Sequence, residues 1–233
     1  MPEKPVMLIT GSRKGLGRHL TEHYLKEGYR VVGCSRGLAD IQLVDYQHFC
    51  LDVADELTVK KMFRSIRKDY GGLDVLINNA GVASMNSVLL TPLKKVRELV
   101  DTNLIGTFLF CREASKLMMK SRSGRIINFT TIAVPLRLEG EAAYGASKAG
   151  VECLTQILAR ELADFGITVN VIGPAALDTD LTRSLPTKKL ESVIARQTIK
   201  RLGRLEEVAN VVDFFIRPES EFVTGQTIFL GGL

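Results

Sequence analysis

Tyr144 and Lys148 are the two residues whose types and spacing point most directly to catalysis. They stand four positions apart in Tyr144-Gly145-Ala146-Ser147-Lys148, so on a helix their side chains share one face. A tyrosine hydroxyl has a free pKa of about 10, but a neighbouring ammonium favours the phenolate and brings that pKa closer to working pH. The pair therefore predicts a general acid and base, although the same spacing also occurs on ordinary amphipathic helix surfaces.

A glycine-rich turn follows the first apolar run of the chain and ends where a helix is predicted to begin. Glycines let the backbone bend sharply and approach a ligand, and a helix N-terminus offers free N–H groups to a phosphate. The spacing is G-x3-G-x-G, and a turn can also need glycine for purely conformational reasons. Its place between strand and helix favours a dinucleotide site made by Gly11, Ser12, Arg13, Lys14, Gly15, Leu16 and Gly17.

The end of the second predicted strand indicates which dinucleotide would bind. An NAD site places an acidic residue there, to accept hydrogen bonds from the adenosine ribose. Here no acid lies between Glu27 and Asp40, and the strand ends in Ser35-Arg36. An arginine at this point can form charge-assisted hydrogen bonds to a 2′-phosphate, and Arg13 and Lys14 in the glycine turn add positive charge. NADP(H) is therefore predicted, with ordinary surface cations as the alternative.

Four motifs together resemble the classical short-chain dehydrogenase/reductase family over practically the whole chain. They are TGSRKGLG at 10–17, NNAG at 78–81, Asn103 and YGASK at 144–148. The tail, from Arg201-Leu202-Gly203-Arg204 to the segment 222–226, resembles the 3-oxoacyl-[acyl-carrier-protein] reductase branch.

The resemblance implies a role for each matched residue. Tyr144 would be the general acid, Lys148 would lower its pKa and hold the nicotinamide ribose, and Asn103 would anchor a water for proton relay. Asp52 and Val53 would sit at the adenine. The remaining cofactor contacts would come from Asn79, Ala80, Gly81, Pro174, Ala175, Leu177 and Thr179.

Three positions depart from the family pattern. Thr131 stands where the family has a substrate-orienting serine; it keeps the hydroxyl but adds a methyl group and a stiffer χ1, or is simply a β-branched residue at a strand end. Ala175 replaces the glycine that usually follows the proline. Of two arginines expected to dock a carrier protein, Arg122 is present but Phe165 occupies the second position.

Short apolar runs alternate with helical segments along the chain, which predicts an α/β fold: one doubly wound Rossmann-type domain over residues 1–233, with a seven-stranded parallel sheet and helices on both faces. Strands are predicted at Val6–Thr10, Arg30–Cys34, His48–Val53, Val75–Asn78, Arg125–Phe129, Thr168–Ile172 and Thr227–Leu230. Helices are predicted at Leu16–Glu27, Glu56–Asp69, Leu93–Met119, Ala143–Phe165 and Glu206–Ile216.

Two stretches interrupt this alternation. The stretch 37–47 is too short for a comfortable helical crossover, so a short turn is predicted there. The polar stretch 178–200, with Pro186 and the pair Lys188–Lys189, is predicted to be a mobile flap over a site.

Composition excludes several functional classes. The chain has 233 residues, 31 Lys+Arg against 26 Asp+Glu, and four cysteines without a CxxC motif, so neither a nucleic-acid tail nor a zinc site is indicated. No signal-peptide core or membrane-length apolar stretch is present, which predicts a soluble cytoplasmic protein without a metal.

The sequence therefore predicts an NADPH-dependent carbonyl reductase whose substrate is a ketone or acyl thioester. Two alternatives stay open: an NAD-linked alcohol or sugar dehydrogenase, and a dinucleotide-binding sensor or structural subunit that has lost activity. The basic residues Lys120, Arg122, Arg125, Arg183, Lys188 and Lys189 would suit an acidic carrier protein, with carrier delivery left open. Apolar residues on the two long helices predict a homotetramer or homodimer.

Overall fold

A computed structural model describes residues 4–41, 43–183 and 187–232, in which seven strands form one parallel sheet. The strand order is β3-β2-β1-β4-β5-β6-β7, which confirms the predicted doubly wound α/β architecture. The strands are β1 (Val6–Thr10), β2 (Arg30–Ser35), β3 (Tyr46–Cys50), β4 (Val75–Asn78), β5 (Gly124–Phe129), β6 (Ile167–Gly173) and β7 (Thr227–Phe229). One sheet through the chain is what a single domain over 1–233 would produce, and that extent stays a prediction.

Nine α-helices lie in the described part of the chain. They are α1 (Gly15–Lys26), α2 (Glu56–Tyr70), α3 (Leu93–Val100), α4 (Gly106–Ser121), α5 (Ala133–Leu136), α6 (Ala142–Leu162), α7 (Asp180–Arg183), α8 (Thr187–Arg196) and α9 (Leu205–Ile216). A π-helical turn, Asp101–Ile105, joins α3 to α4, and short 3₁₀ turns occur at Val88–Leu90, Ala163–Phe165 and Pro218–Ser220. None of the helices in the described ranges is both long and apolar enough to span a membrane.

The sheet separates two apolar cores, which explains why its central strands are buried along their length. Successive residues of a strand face opposite sides, so Leu8 packs in one core while Met7 and Ile9 pack in the other. The first core includes Phe63 of α2 and Phe110 of α4. The second is closed by α1 and α9. Both faces must be apolar because helices cover both.

Strand β3 differs from its prediction, since it begins at Tyr46 and ends at Cys50 rather than spanning 48–53. Cys50 pairs with Ser35, the last residue of β2, so the ladder has no further partner strand beyond this point. No helix occurs among the described residues between β2 and β3, in agreement with the predicted turn.

The predicted long helix 93–119 is wrong as a single element. A π-helical turn at Asp101–Ile105 divides it into α3 and α4, because Asn103 forms hydrogen bonds with the backbone of another segment. The stretch 178–200, predicted as a flap, contains α7 and α8. Pro186 and the side chains of Lys188 and Lys189 lie outside the described residues.

Candidate active site

A cleft of about 630 Å³ opens at the carboxyl ends of the central strands. This is the edge at which doubly wound sheets bind their ligands. Of the residues predicted to bind cofactor or substrate, many line this cleft: Gly11, Lys14, Gly15, Leu16, Asn79, Ala80, Gly81, Thr131, Tyr144, Lys148, Pro174, Ala175, Leu177 and Thr179.

The glycine turn makes one end of the cleft and fits a dinucleotide pyrophosphate. Gly11 has a φ of +70°, and a Cβ there would come within 3.0 Å of Ala80 Cα. A Cβ on Gly17 would overlap the carbonyl oxygen of Gly11, so only glycine lets α1 start this close to the turn. Helix α1 begins after Lys14 with no side-chain cap and no acidic residue in its first turn. Its free N–H groups and positive end can therefore receive a phosphate.

The segment after β4 forms the floor of the cleft and is fixed to the glycine turn. Asn79 Nδ2 donates to Thr10 O at 3.0 Å, and the Ala80 N–H donates to Thr10 Oγ1 at 2.8 Å. Gly81 sits close to two catalytic candidates, since a Cβ there would lie 3.3 Å from Asn103 Oδ1 and 3.5 Å from Lys148 Nζ. Residues 79–81 thus connect the predicted phosphate site to the predicted chemistry.

Asn103 is buried in the π-helical turn, and its side chain forms three hydrogen bonds to protein partners. Its Nδ2 donates to Val82 O at 2.9 Å and to Ser147 Oγ at 3.0 Å, while Oδ1 accepts from the Val82 N–H at 2.9 Å. These bonds join the floor of the cleft to α6, the helix that carries Tyr144. The side chain is therefore placed to position the floor of the cleft against α6.

Tyr144, Thr131 and Lys148 meet at the centre of the cleft. Thr131 lines the same cleft as Tyr144, and its hydroxyl accepts from the Ala133 N–H at 3.2 Å. Lys148 is buried and its Nζ donates to Phe129 O at 2.8 Å. The predicted hydroxyl pair and ammonium are therefore brought together, with Thr131 in the place of the family's serine.

The electrostatics around Tyr144 differ from the expectation of a lowered pKa. Desolvation, followed by the nearby Glu141 carboxylate, raises the pKa of Tyr144 to about 12, although the Thr131 hydroxyl acts to lower it. Burial also lowers the pKa of Lys148 to about 8. The raised pKa favours the protonated, proton-donating form of the tyrosine.

Other predicted cofactor residues lie outside the lining of the cleft. Ser12 and Gly17 are buried within the glycine turn, and Val53 packs beneath Gly106 at the start of α4. Asp52 is exposed and its Oδ1 accepts from the Ala54 N–H at 3.0 Å. Of the remaining three, Ser35 ends β2, while Arg36 directly after it and Arg13 in the glycine turn are exposed.

The far end of the cleft is apolar, and sequence reasoning missed its residues. They come from four separate segments of the chain and belong to no sequence motif: Met85, Ile132, Leu138, Leu190 and Val193. Glu141, three residues before Tyr144, is the buried acidic member of this lining. Its place one helical turn before the tyrosine was the available sequence signal for it.

The predicted carrier-docking surface is only partly present. Arg122 Nη2 donates to Asp164 O at 2.6 Å, and Arg183 pairs with Asp178 at 3.0 Å. Phe165 packs against the core. Two of these arginines are thus held by their own chain, one of them by a neighbouring carboxylate. In the described ranges, no group of three or more His, Cys, Asp or Glu side chains could hold a metal.

Comparison with known proteins decides the family. A family model described as enoyl-(acyl carrier protein) reductase matches residues 11–232. The chain belongs to the short-chain dehydrogenase/reductase family. This confirms the resemblance seen in the motifs, and with it an oxidoreductase.

Relatives and solved structures agree over nearly the full length. The chain is 33% identical to the 3-oxoacyl-[acyl-carrier-protein] reductase FabG of Escherichia coli (strain K12), over 99% of this chain and 97% of that protein. It is 34% identical to the FabG of Staphylococcus aureus (strain Mu50), over 97% of this chain and 96% of that protein. The solved structure of ElxO with NADP bound matches with a TM-score of 0.90 and 29% identity, over 98% of this chain and 97% of that one.

Proposed function

We propose that this protein is an NADPH-dependent carbonyl reductase of the 3-oxoacyl-thioester type, which reduces a ketone to a secondary alcohol. The observation that carries the proposal is the meeting of Thr131, Tyr144 and Lys148 in a cleft that begins at a glycine turn suited to a pyrophosphate. The similarity to FabG proteins over almost the whole chain supports the same reaction class.

Bound NADPH supplies the hydride that reaches the ketone carbon. Thr131 and Tyr144 both present a hydroxyl to the carbonyl oxygen and so orient it. Tyr144 then donates its proton to that oxygen as negative charge develops, and the C=O group becomes CH–OH. The Lys148 ammonium stabilises the resulting phenolate and would hold the nicotinamide ribose. Asn103 holds the floor of the cleft against α6 through its hydrogen bonds to Val82 and Ser147.

NADP(H) is the cofactor that the residues after β2 suit best. Arg36 just after β2 and Arg13 in the glycine turn are exposed cations, and no acid lies between Glu27 and Asp40. NADP and NADPH are bound by the solved relatives ElxO and a variant of it, which supports the assignment. Replacing Arg36 with alanine should weaken NADPH binding by roughly ten- to a hundredfold and NADH binding much less. Tighter binding of NADH than of NADPH by the unmodified protein would refute the assignment.

An acyl thioester is the substrate class that we propose. Met85, Leu138, Leu190 and Val193 give the far end of the cleft an apolar lining that suits an acyl chain. A hydroxylated substrate, as in a sugar or alcohol dehydrogenase, is the second candidate, because the Glu141 carboxylate belongs to the same lining and could accept hydrogen bonds from hydroxyl groups.

Delivery by a carrier protein is a further part of the proposal and has its own test. kcat/KM is compared for one β-ketoacyl group on an acyl carrier protein and on a small thiol mimic, at low and high salt. Steering by basic residues such as Arg122 predicts a preference for the carrier that shrinks as salt screens the charges. Equal values at both salt concentrations would leave a reductase of free small molecules.

We also propose that the protein forms homodimers or homotetramers in the cytoplasm. Apolar side chains remain exposed on α4 and α6, with Phe108 at 41% and Ile157 at 49% of their full exposure. Pairing of these helices between copies would bury them. Light scattering at micromolar concentration should give at least twice the chain mass of 25.7 kDa, and a monomer mass would refute the pairing.

A further inference from the structure

Tyr46 and His48 lie on β3 and connect two loops that are separate in sequence. Tyr46 Oη is 2.9 Å from Ser12 Oγ in the glycine turn and 2.8 Å from His48 Nδ1. On its other side, His48 Nε2 is 3.1 Å from Ser35 Oγ and 3.0 Å from Gly37 O, just beyond β2. A continuous chain of hydrogen bonds therefore runs from the glycine turn to the end of β2.

The chemistry of the partners determines which group donates and which accepts in each of these hydrogen bonds. Gly37 O can only accept, so the Nε2–H of His48 donates to it, and Ser35 Oγ also donates to it at 2.7 Å. Burial lowers the pKa of His48, which favours the neutral ring with a bare Nδ1. Nδ1 then accepts from the Tyr46 hydroxyl, whose oxygen accepts from Ser12. All five groups are satisfied in one arrangement.

The backbone around this chain is shaped to admit it. Gly33 of β2 lies directly beneath, and a Cβ there would overlap both Tyr46 Oη and Ser12 Oγ. Gly37 lies against the side chain of Arg13, since a Cβ there would be 3.1 Å from Arg13 Nη1. A side chain at position 33 would close the space in which the two loops are joined.

Both joined loops carry an arginine assigned above to the 2′-phosphate. Ser12 immediately precedes Arg13, and Ser35 immediately precedes Arg36. Two guanidinium groups bind one phosphate well only when the distance between them matches it, and a rigid support fixes that distance.

We propose that Tyr46 and His48 are positioning residues for NADPH: they hold the loops of Arg13 and Arg36 at the spacing that the 2′-phosphate requires. The inference rests on the proposed NADPH site and adds two residues to it that touch neither the hydride nor the substrate. Loss of one neutral hydrogen bond of the chain should lower the preference for NADPH over NADH by roughly two- to tenfold.

The test is titration of NADPH and NADH, by cofactor fluorescence and without substrate, into the unmodified protein and its variants. Tyr46→Phe removes one oxygen atom, His48→Phe removes both ring nitrogens, and His48→Gln keeps a donor for Gly37 O. The matched control is Tyr70→Phe. The Tyr70 hydroxyl of α2 donates at 3.1 Å to Oε1 of Gln47, which lies between Tyr46 and His48 on β3, and this bond does not involve Ser12. Thermal unfolding of each variant checks that it is folded.

Tyr46→Phe and His48→Phe should lose NADPH preference, His48→Gln should keep more of it than His48→Phe, and Tyr70→Phe should keep all of it. An equal loss of affinity for NADPH and NADH would show a merely structural role and overturn the inference. A shifted cofactor preference in Tyr70→Phe would also overturn it. An unmodified protein without NADPH preference would instead refute the cofactor assignment itself, and the inference with it. Preference that survives in every variant overturns the inference alone.

Discussion

Replacing Asn103 with alanine should destabilise the protein and weaken its binding of NADPH, because the side chain joins the floor of the cleft to α6. The substitution removes three hydrogen bonds, two to the Val82 backbone and one to Ser147 Oγ, with lengths of 2.9–3.0 Å. At about 0.5–1.5 kcal/mol for each neutral bond, the expected loss in the free energy of unfolding is about 1.5–4.5 kcal/mol. Some of this cost falls on buried groups left without a partner.

Urea unfolding of the unmodified protein, Asn103→Ala, Ser147→Ala and the double variant gives the energies directly. Ser147 also donates to Tyr144 O at 2.7 Å, so its single variant disturbs α6 independently. The cycle should return a coupling energy of about 0.5–1.5 kcal/mol between Asn103 and Ser147. NADPH affinity should fall with stability, since Val82 continues the floor formed by residues 79–81.

A different result would assign Asn103 to the chemistry itself. If Asn103→Ala changed the unfolding free energy by less than about 0.5 kcal/mol, while turnover collapsed and NADPH affinity stayed normal, the positioning argument would be refuted.

Two further outcomes follow from the site. In the proposed mechanism the Lys148 ammonium supports ionisation of the tyrosine. Burial lowers the pKa of Lys148 to about 8, so kcat/KM for reduction should be highest below that pH and fall as pH rises through it. A profile that is level across this range would contradict the role proposed for Lys148. Gly17→Ala should lower the unfolding free energy by more than about 2 kcal/mol and abolish NADPH binding, because its Cβ would overlap Gly11 O. Gly145→Ala is the matched control: nothing lies within 4 Å of its added Cβ, and in a helix it should be neutral or stabilising by up to about 1 kcal/mol. Similar losses in both variants would contradict the steric explanation.

The central fold was predictable because its signals are local. Short runs between helical segments located all seven strands, and the glycine turn and the Tyr144 helix followed from motif spacing and from position along the chain. The boundaries failed where tertiary contacts decide them. Asn103 forms bonds with Val82, twenty-one positions away, and this contact accompanies the π-helical turn that divides the predicted long helix.

The candidate catalytic residues could be selected from their motifs, whereas their environment could not. The Thr131 contact with Tyr144 follows from placing β5 beside α6, but the raised pKa of Tyr144 depends on burial and on Glu141. The joining of Ser12 to Ser35 through His48 requires three strands in register, and a single histidine on a strand carries no signal of that kind. The apolar end of the cleft is likewise assembled from separate elements.

Reduction by the unmodified protein, compared with Tyr144→Phe, tests the central claim most directly. Both proteins are incubated with NADPH and a panel of ketones and β-ketoacyl thioesters, and the loss of NADPH absorbance is followed while the alcohol is identified. The account predicts turnover of at least one member of the panel by the unmodified protein, and a loss of roughly a hundredfold or more in Tyr144→Phe with NADPH affinity retained. A Tyr144→Phe protein that kept near-normal kcat, or an unmodified protein that bound NADPH but reduced nothing in the panel, would contradict it.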